Sequence, residues 1–148
     1  MGRLVTLFES IADEWRKRGV PLMPPAAEAE IVALFAELGC PLSADIRDLY
    51  ATVGGFVDYE SDGQWSFWSL GRMRKEAGGR HRPFVMFADW LILSHVYCFR
   101  FETPDVSSVY ISHDGSSLEA RPVASSVAEF FEKLLSDADS VDAWRTDA

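Results

Sequence analysis

The residues best placed to do chemistry lie in the stretch DYESDGQWSFW, residues 58–68, where Asp58, Glu60 and Asp62 alternate along the chain and Trp65 and Trp68 follow. Alternating carboxylates ahead of Gly63 imitate the opening of a calcium loop. The twelfth position is Ser69, however, where a bidentate Glu is required, and the sequence predicts no helix after it. What remains is recognition: three carboxylates facing a cationic partner, with Trp65 or Trp68 as the apolar anchor that an interface needs. Asp58, Glu60, Asp62, Trp65 and Trp68 are therefore the candidate partner-binding residues. The competing reading is a solvated acidic loop followed by a strand whose rings fill the core.

Other chemistries find less support. His81, His95 and His113 fall in different expected elements, and neither HExxH nor Cys/His ligand spacing surrounds them. Cys40 and Cys98 lack the paired spacing of zinc or redox motifs and read as reduced, buried thiols. No GxSxG elbow, GxGxxG loop or GxxxxGK[ST] loop occurs, so neither an activated serine nor a phosphate cradle is indicated. An enzyme would have to use an unrecognised site, for which Asp89, Glu102 and Tyr97 are the residues to watch. Neither a metal nor another cofactor is expected.

Periodicity defines the elements that position these residues. Leu4, Leu7, Phe8, Ile11 and Trp15 recur at helical spacing, with Arg16, Lys17 and Arg18 where the dipole favours cations and Gly19 and Pro21 as the stop. Pro24 and Pro25 can open a second helix with Ile31, Leu34, Phe35 and Leu38 inward, ended by Gly39. Ser43 can cap a third, with Ile46, Leu49, Tyr50 and Val53 inward and Gly54-Gly55 as a sharp exit. From Phe56 onward the chain turns to strands: WSFWSL, FVMFADW, HVYCFRFE, SSVYIS and LEARPVA. In HVYCFRFE, Tyr97, Phe99 and Phe101 alternate with Cys98, Arg100 and Glu102, which predicts burial on one face. Asp114-Gly115 marks a hairpin, Pro122 a sheet edge or strand end, and Ser126 with Glu129 a capping box opening a last helix lined by Val127, Phe130, Phe131, Leu134 and Leu135. Helices, then consecutive strands, then a helix give an α+β class, with a mainly antiparallel sheet of five or six strands.

At 148 residues the chain suits one domain, 1–148, with 137–148 read either as a flexible, exposed tail or as a segment docked through Trp144. No apolar run spans a membrane and the first residues do not read as a signal peptide, which places the protein in the cytoplasm. A net charge of −9 argues against direct contact with nucleic acid and suits a basic protein partner. The exception is the segment 72–82, where Arg72, Arg74, Lys75, Arg80 and Arg82 meet only Glu76. It reads as a mobile loop or poorly anchored short helix carrying cations into solvent, or as an intramolecular counter-charge.

The run CPLSADIRDLYATVGGF, from Cys40 to Phe56, resembles the signature of the SUKH superfamily: a Pro, a short helix with a basic residue and Tyr, then a Gly pair. Phe87-Ala88-Asp89-Trp90 is similar to that family's strand-ending segment, and Val109-Tyr110 and VASSVAEFFEKLL to its last hairpin and Ser-capped helix. Val53 departs from the Asn frequent before the Gly pair, and Val127 from the Phe frequent in the last helix. The resemblance spans Cys40 to Leu135. It implies a non-catalytic α+β domain, found in bacterial proteins that neutralise toxins and in fungal regulators of cell-wall assembly. On that basis the expected partner is a toxin domain, including nucleases among the candidates, bound by a monomer or weak homodimer.

Overall fold

The computed structural model describes residues 2–77, 84–90, 93–113 and 120–136, with side chains from Val5 onward. Three helices come first: α1 (Gly2–Lys17), α2 (Glu28–Leu38) and α3 (Ala44–Thr52). Strand β1 (Trp65–Phe67) leads into α4 (Leu70–Ala77), followed by β2 (Val85–Trp90), β3 (His95–Phe101), β4 (Ser107–Ser112), β5 (Arg121–Ala124) and α5 (Val127–Ser136). The strands form one five-stranded sheet in the order β1-β2-β3-β4-β5, antiparallel at every pairing. The α+β architecture expected from the sequence is the one observed.

One sheet face carries the aromatic core. Trp65 and Phe67 of β1 meet Trp15 of α1 and Phe131 of α5, with Phe56, Tyr97 and Phe130 closing round them at centroid distances of 4.8–6.5 Å. Such edge-to-face and offset contacts add to the large area each ring removes from water. The expected inward positions Ile31, Leu34, Phe35, Ile46, Leu49, Tyr50, Val53, Val127, Phe130 and Phe131 are all buried, whereas Leu135 is 39% exposed. Leu4, the Asp114-Gly115 turn, Arg80 to Arg82, and the tail with Trp144 lie outside the described residues or side chains.

Four sequence expectations are corrected. The helix α2 begins at Glu28, not at Pro24-Pro25, because the preceding chain is held extended: Met23 N–H donates to Gly55 C=O and Ala26 N–H to Tyr50 C=O. The Glu30 side chain then accepts from Ala27 N–H, supplying one reciprocal bond of a capping box without a capping hydroxyl. Ser43 sits at the N-cap of α3, but its hydroxyl bonds Asp45 Oδ1 at 2.5 Å and Ser107 Oγ at 2.7 Å instead of capping the helix. Burial of β3 is not one-sided, since Cys98 is as inaccessible as Tyr97. Finally, residues 70–77 form the short helix that the sequence allowed, but not a poorly anchored one: Arg72, Met73 and Ala77 are buried and the helix lies against α2 and β2.

The Gly pair does more than turn the chain. A Cβ on Gly54 would fall on the backbone carbonyl of Pro24, and one on Gly55, whose φ is +92°, would press into the backbone of Trp68 and Ser69. These two glycines let the 21–26 segment and the end of β1 approach the exit of α3, which sets the root of the acidic loop.

Candidate functional site

The acidic loop 57–64 leaves the core by a tight turn in which Glu60 N–H donates to Val57 C=O at 3.0 Å. Tyr59, third in that turn, takes φ +71°, a left-handed conformation that costs a residue with a Cβ about 1–2 kcal/mol. Its ring is 69% exposed. Just before it, the chain forms a short antiparallel pairing, with Leu22 opposite Phe56 and Val57 N–H donating to Pro21 C=O. Alternation turns Phe56 inward and Met23 and Val57 outward, where they are 40% and 38% exposed. Met23 and Val57, on one face of that pairing, and Tyr59, two residues on, are thus exposed apolar side chains in the same stretch as the carboxylates.

The carboxylates themselves are ordered by α4 and α1. Asp58 accepts from Ser69 Oγ at 2.8 Å and from Lys75 Nζ at 3.0 Å. Partial burial pushes the Asp58 carboxyl up, but those two hydrogen bonds and the charges of Lys75 and Arg72 outweigh it and hold it below its ordinary value. Asp62 pairs with Arg18 at 2.6 Å, and Glu60 is exposed at the loop's crest.

Behind the loop lies a cleft of about 340 Å³, walled by Tyr59, Gln64, Ser66, Arg72 and Asp89 among others. Arg72 and Asp89 are 5% and 3% exposed and form an ion pair at 3.2 Å. Trp68 Nε1 donates to the same Asp89 oxygen at 2.6 Å, and Arg72 also reaches Glu76 Oε2 and Ser66 Oγ, both at 3.4 Å. The Arg72 guanidinium lies over two rings, 4.8 Å from Tyr59 and 4.9 Å from Trp68. So the polar floor of the cleft is internally satisfied, and the base of the loop is fixed to the sheet through it.

Of the five candidate residues, Asp58, Glu60 and Asp62 stand on the loop, Asp58 tied to α4 through Lys75 and Asp62 to α1 through Arg18. Trp65 and Trp68 are 6% and 1% exposed. Trp65 lies in the aromatic core and Trp68 under Arg72, so neither offers a ring to a partner. The exposed aromatic of the loop is Tyr59, which sequence reasoning missed along with Met23 and Val57. Over its described part the basic segment is paired internally, the intramolecular counter-charge arrangement: buried Arg72 pairs with Asp89, and the exposed Arg74 and Lys75 pair with Glu37 and Asp58.

The structure does not assemble Asp89, Glu102 and Tyr97. Asp89 and Tyr97 lie on opposite sheet faces, since Ala88, not Asp89, is the register partner of Tyr97, and Glu102 beyond the far end of β3 accepts from Ser108 Oγ at 2.6 Å. Among the described residues no group of three or more His, Cys, Asp or Glu side chains is placed to hold a metal ion, and no helix is long and apolar enough to cross a membrane.

Comparison with curated proteins and with solved structures returned no match. The model of the SMI1 / KNR4 family (SUKH-1) matches residues 25–133, which include α2 to α4, most of α5, the whole sheet, the Gly pair, the acidic loop and the Arg72–Asp89 floor. With most of its length under that match, the chain belongs to the SMI1/KNR4 family (SUKH-1).

Proposed function

We propose that this protein is a cytoplasmic, non-enzymatic binding domain that neutralises a cognate toxin by direct contact through its acidic loop. The observation that carries the reading is that the loop exposes apolar Val57 and Tyr59, with Met23 on the segment paired to it, in the same stretch as Asp58, Glu60 and Asp62. An apolar centre with a charged rim is the anatomy of a protein interface, and the left-handed Tyr59 is strain of the kind that clusters at binding sites. Net charge of −9 would speed encounter with a basic partner, as toxins that attack nucleic acids commonly are. Family membership supports a protein-binding role, and the neutralising role is what the resemblance to bacterial members implies.

The test is rescue. Cells expressing a toxin gene encoded beside this one should survive when the protein is co-expressed, and the two proteins should co-purify. Survival should fall when Tyr59 and Glu60 are replaced together. Absence of both rescue and binding would refute neutralisation and favour a regulator acting on endogenous proteins.

A further inference from the structure

We infer that His95 and His113 form a two-point chelate for a divalent transition-metal ion of the copper(II) and nickel(II) class, where β3 begins and one residue past the end of β4. The site shares no residue with the acidic loop and does not depend on the toxin reading.

Strand register builds the pair from two histidines that the sequence left in different elements. Val96 lies opposite Ser112, and one step further along the antiparallel ladder His95 faces His113. Cross-strand neighbours hold their Cβ atoms about 4.5–5.5 Å apart, so two imidazoles meet there without any loop folding over them. Their ring centres are 4.4 Å apart, with planes 83° from parallel. His95 is half-buried, with the Trp90 ring 6.0 Å away, and His113 is exposed, so a solvated ion has access. A second contact orients the first ligand: Ser94 Oγ lies 3.1 Å from Nδ1 of His95. In the tautomer whose Nδ1–H donates to Ser94, the lone pair of the ring is on Nε2, the arrangement that histidine ligands to metals use.

The spacing also selects the metal. An imidazole nitrogen turned toward such an ion bonds it at about 2.0–2.1 Å, which puts the ion about 3.2 Å from the ring centre. Ring centres 4.4 Å apart then subtend close to a right angle at the ion, about 87°, the angle between adjacent ligands in a tetragonal field. Tetrahedral ligation would spread the centres to about 5.2 Å. Copper(II) and nickel(II) favour tetragonal nitrogen and oxygen ligands and zinc the tetrahedron, so the pair suits the first two, with water in the remaining positions. Calcium and magnesium take oxygen ligands and are disfavoured. Among the described residues no third His, Cys, Asp or Glu completes the pair, so two protein bonds hold the ion and it exchanges readily. The chelate is a reversible staple between β3 and β4.

The test titrates the isotope-labelled full chain with copper(II), nickel(II), zinc(II) and magnesium, following backbone amide and histidine signals. Copper(II) should broaden the signals of His95, Val96, Ser112 and His113 first and saturate at one equivalent. Nickel(II) should follow, with zinc(II) weaker and magnesium without effect. The chain has three histidines, so His81→Gln is the internal control and should leave copper binding unchanged. His95→Gln and His113→Gln should each weaken it by at least what losing an outer-shell partner costs, roughly tenfold or more. His113 is exposed, so its replacement leaves the core untouched, and a melt of each variant without metal checks that the fold is kept. Copper(II) should raise the Tm of the wild type, because only the folded sheet holds the two rings together, and the rise should vanish in both variants. Copper affinity unchanged by replacement of either His95 or His113 would reduce the pair to an edge-to-face ring contact and overturn the site. Broadening centred on the acidic loop or on His81 would overturn it equally, and zinc bound more tightly than copper would overturn the choice of metal.

Discussion

Removing Arg72 and Asp89 together should destabilise the protein by less than the two single removals added together. Both partners are almost inaccessible, at 5% and 3% exposure, and their charged atoms lie 3.2 Å apart. In Arg72→Met the Asp89 carboxylate stays buried with one strong donor, Trp68 Nε1, and a long contact from Leu93 N–H at 3.4 Å. Leaving a buried charge without its counter-ion costs about 3–5 kcal/mol, a large part of the stability of an ordinary domain. For a chain of this size that corresponds to a fall in Tm of roughly 6–20 °C. Asp89→Asn should cost less, about 1–3 kcal/mol, because Glu76 and the rings of Tyr59 and Trp68 still face the guanidinium. In the double variant neither charge is stranded, and the loss should be smaller than the two single losses added together by about 1.5–3 kcal/mol. Urea unfolding followed by tryptophan fluorescence measures all three, with the midpoint moving and the slope unchanged if the native fold is kept. If the single effects add to within about 0.5 kcal/mol, the two residues are not coupled and the account of the cleft floor is wrong.

Further outcomes follow from the same geometry. Gly54→Ala should cost about 1–3 kcal/mol in a denaturant melt, because its Cβ meets the Pro24 backbone and not a movable side chain. At position 59 glycine should be more stable than alanine by about 1 kcal/mol, since only the backbone conformation separates them; equal stability would remove the strain argument. Trp65→Ala should lose about 3–5 kcal/mol as a core truncation, whereas an interface ring would lose little in the isolated protein. Asp58 has a folded pKa below its unfolded one. Its pairing with Ser69 and Lys75 therefore stabilises the fold above about pH 4 and is lost as pH falls through the folded value. The stability gap between the wild type and Asp58→Asn should narrow below pH 4, and a gap constant down to pH 2 would contradict the assignment.

The helices and strands were legible because burial imposes a period on the chain. Ile31, Leu34 and Phe35, or Phe130 and Phe131, stand where one helical face demands them. Residues 70–77 misled because their helix buries an arginine, and a pattern reader counts Arg72 as solvated unless it knows that Asp89 waits opposite. Pro24 and Pro25 looked like a helix start, but pairing with Gly55 and Tyr50, distant in sequence, holds that stretch extended. The acidic half of the candidate site was visible from its spacing. Its aromatic half was assigned to the tryptophans, since large rings suit interfaces and cores alike, and only three-dimensional crowding tells which is which. A positive φ at Tyr59 leaves no trace in residue type, because a glycine would have announced it and a tyrosine does not.

The stack of Trp15 on Trp65 gives the molecule its own optical signature. Two indoles fixed 5.6 Å apart with planes 22° from parallel couple their electronic transitions, so the circular-dichroism bands of tryptophan carry the handedness of that one contact. Trp15 rides on α1, which precedes the residues matched by the family model, while Trp65 belongs to the sheet inside them. Detachment of the first helix would erase the coupled bands while the hairpins of the sheet still stood, and a stopped-flow trace at those wavelengths would time the arrival of that helix separately from collapse of the rest.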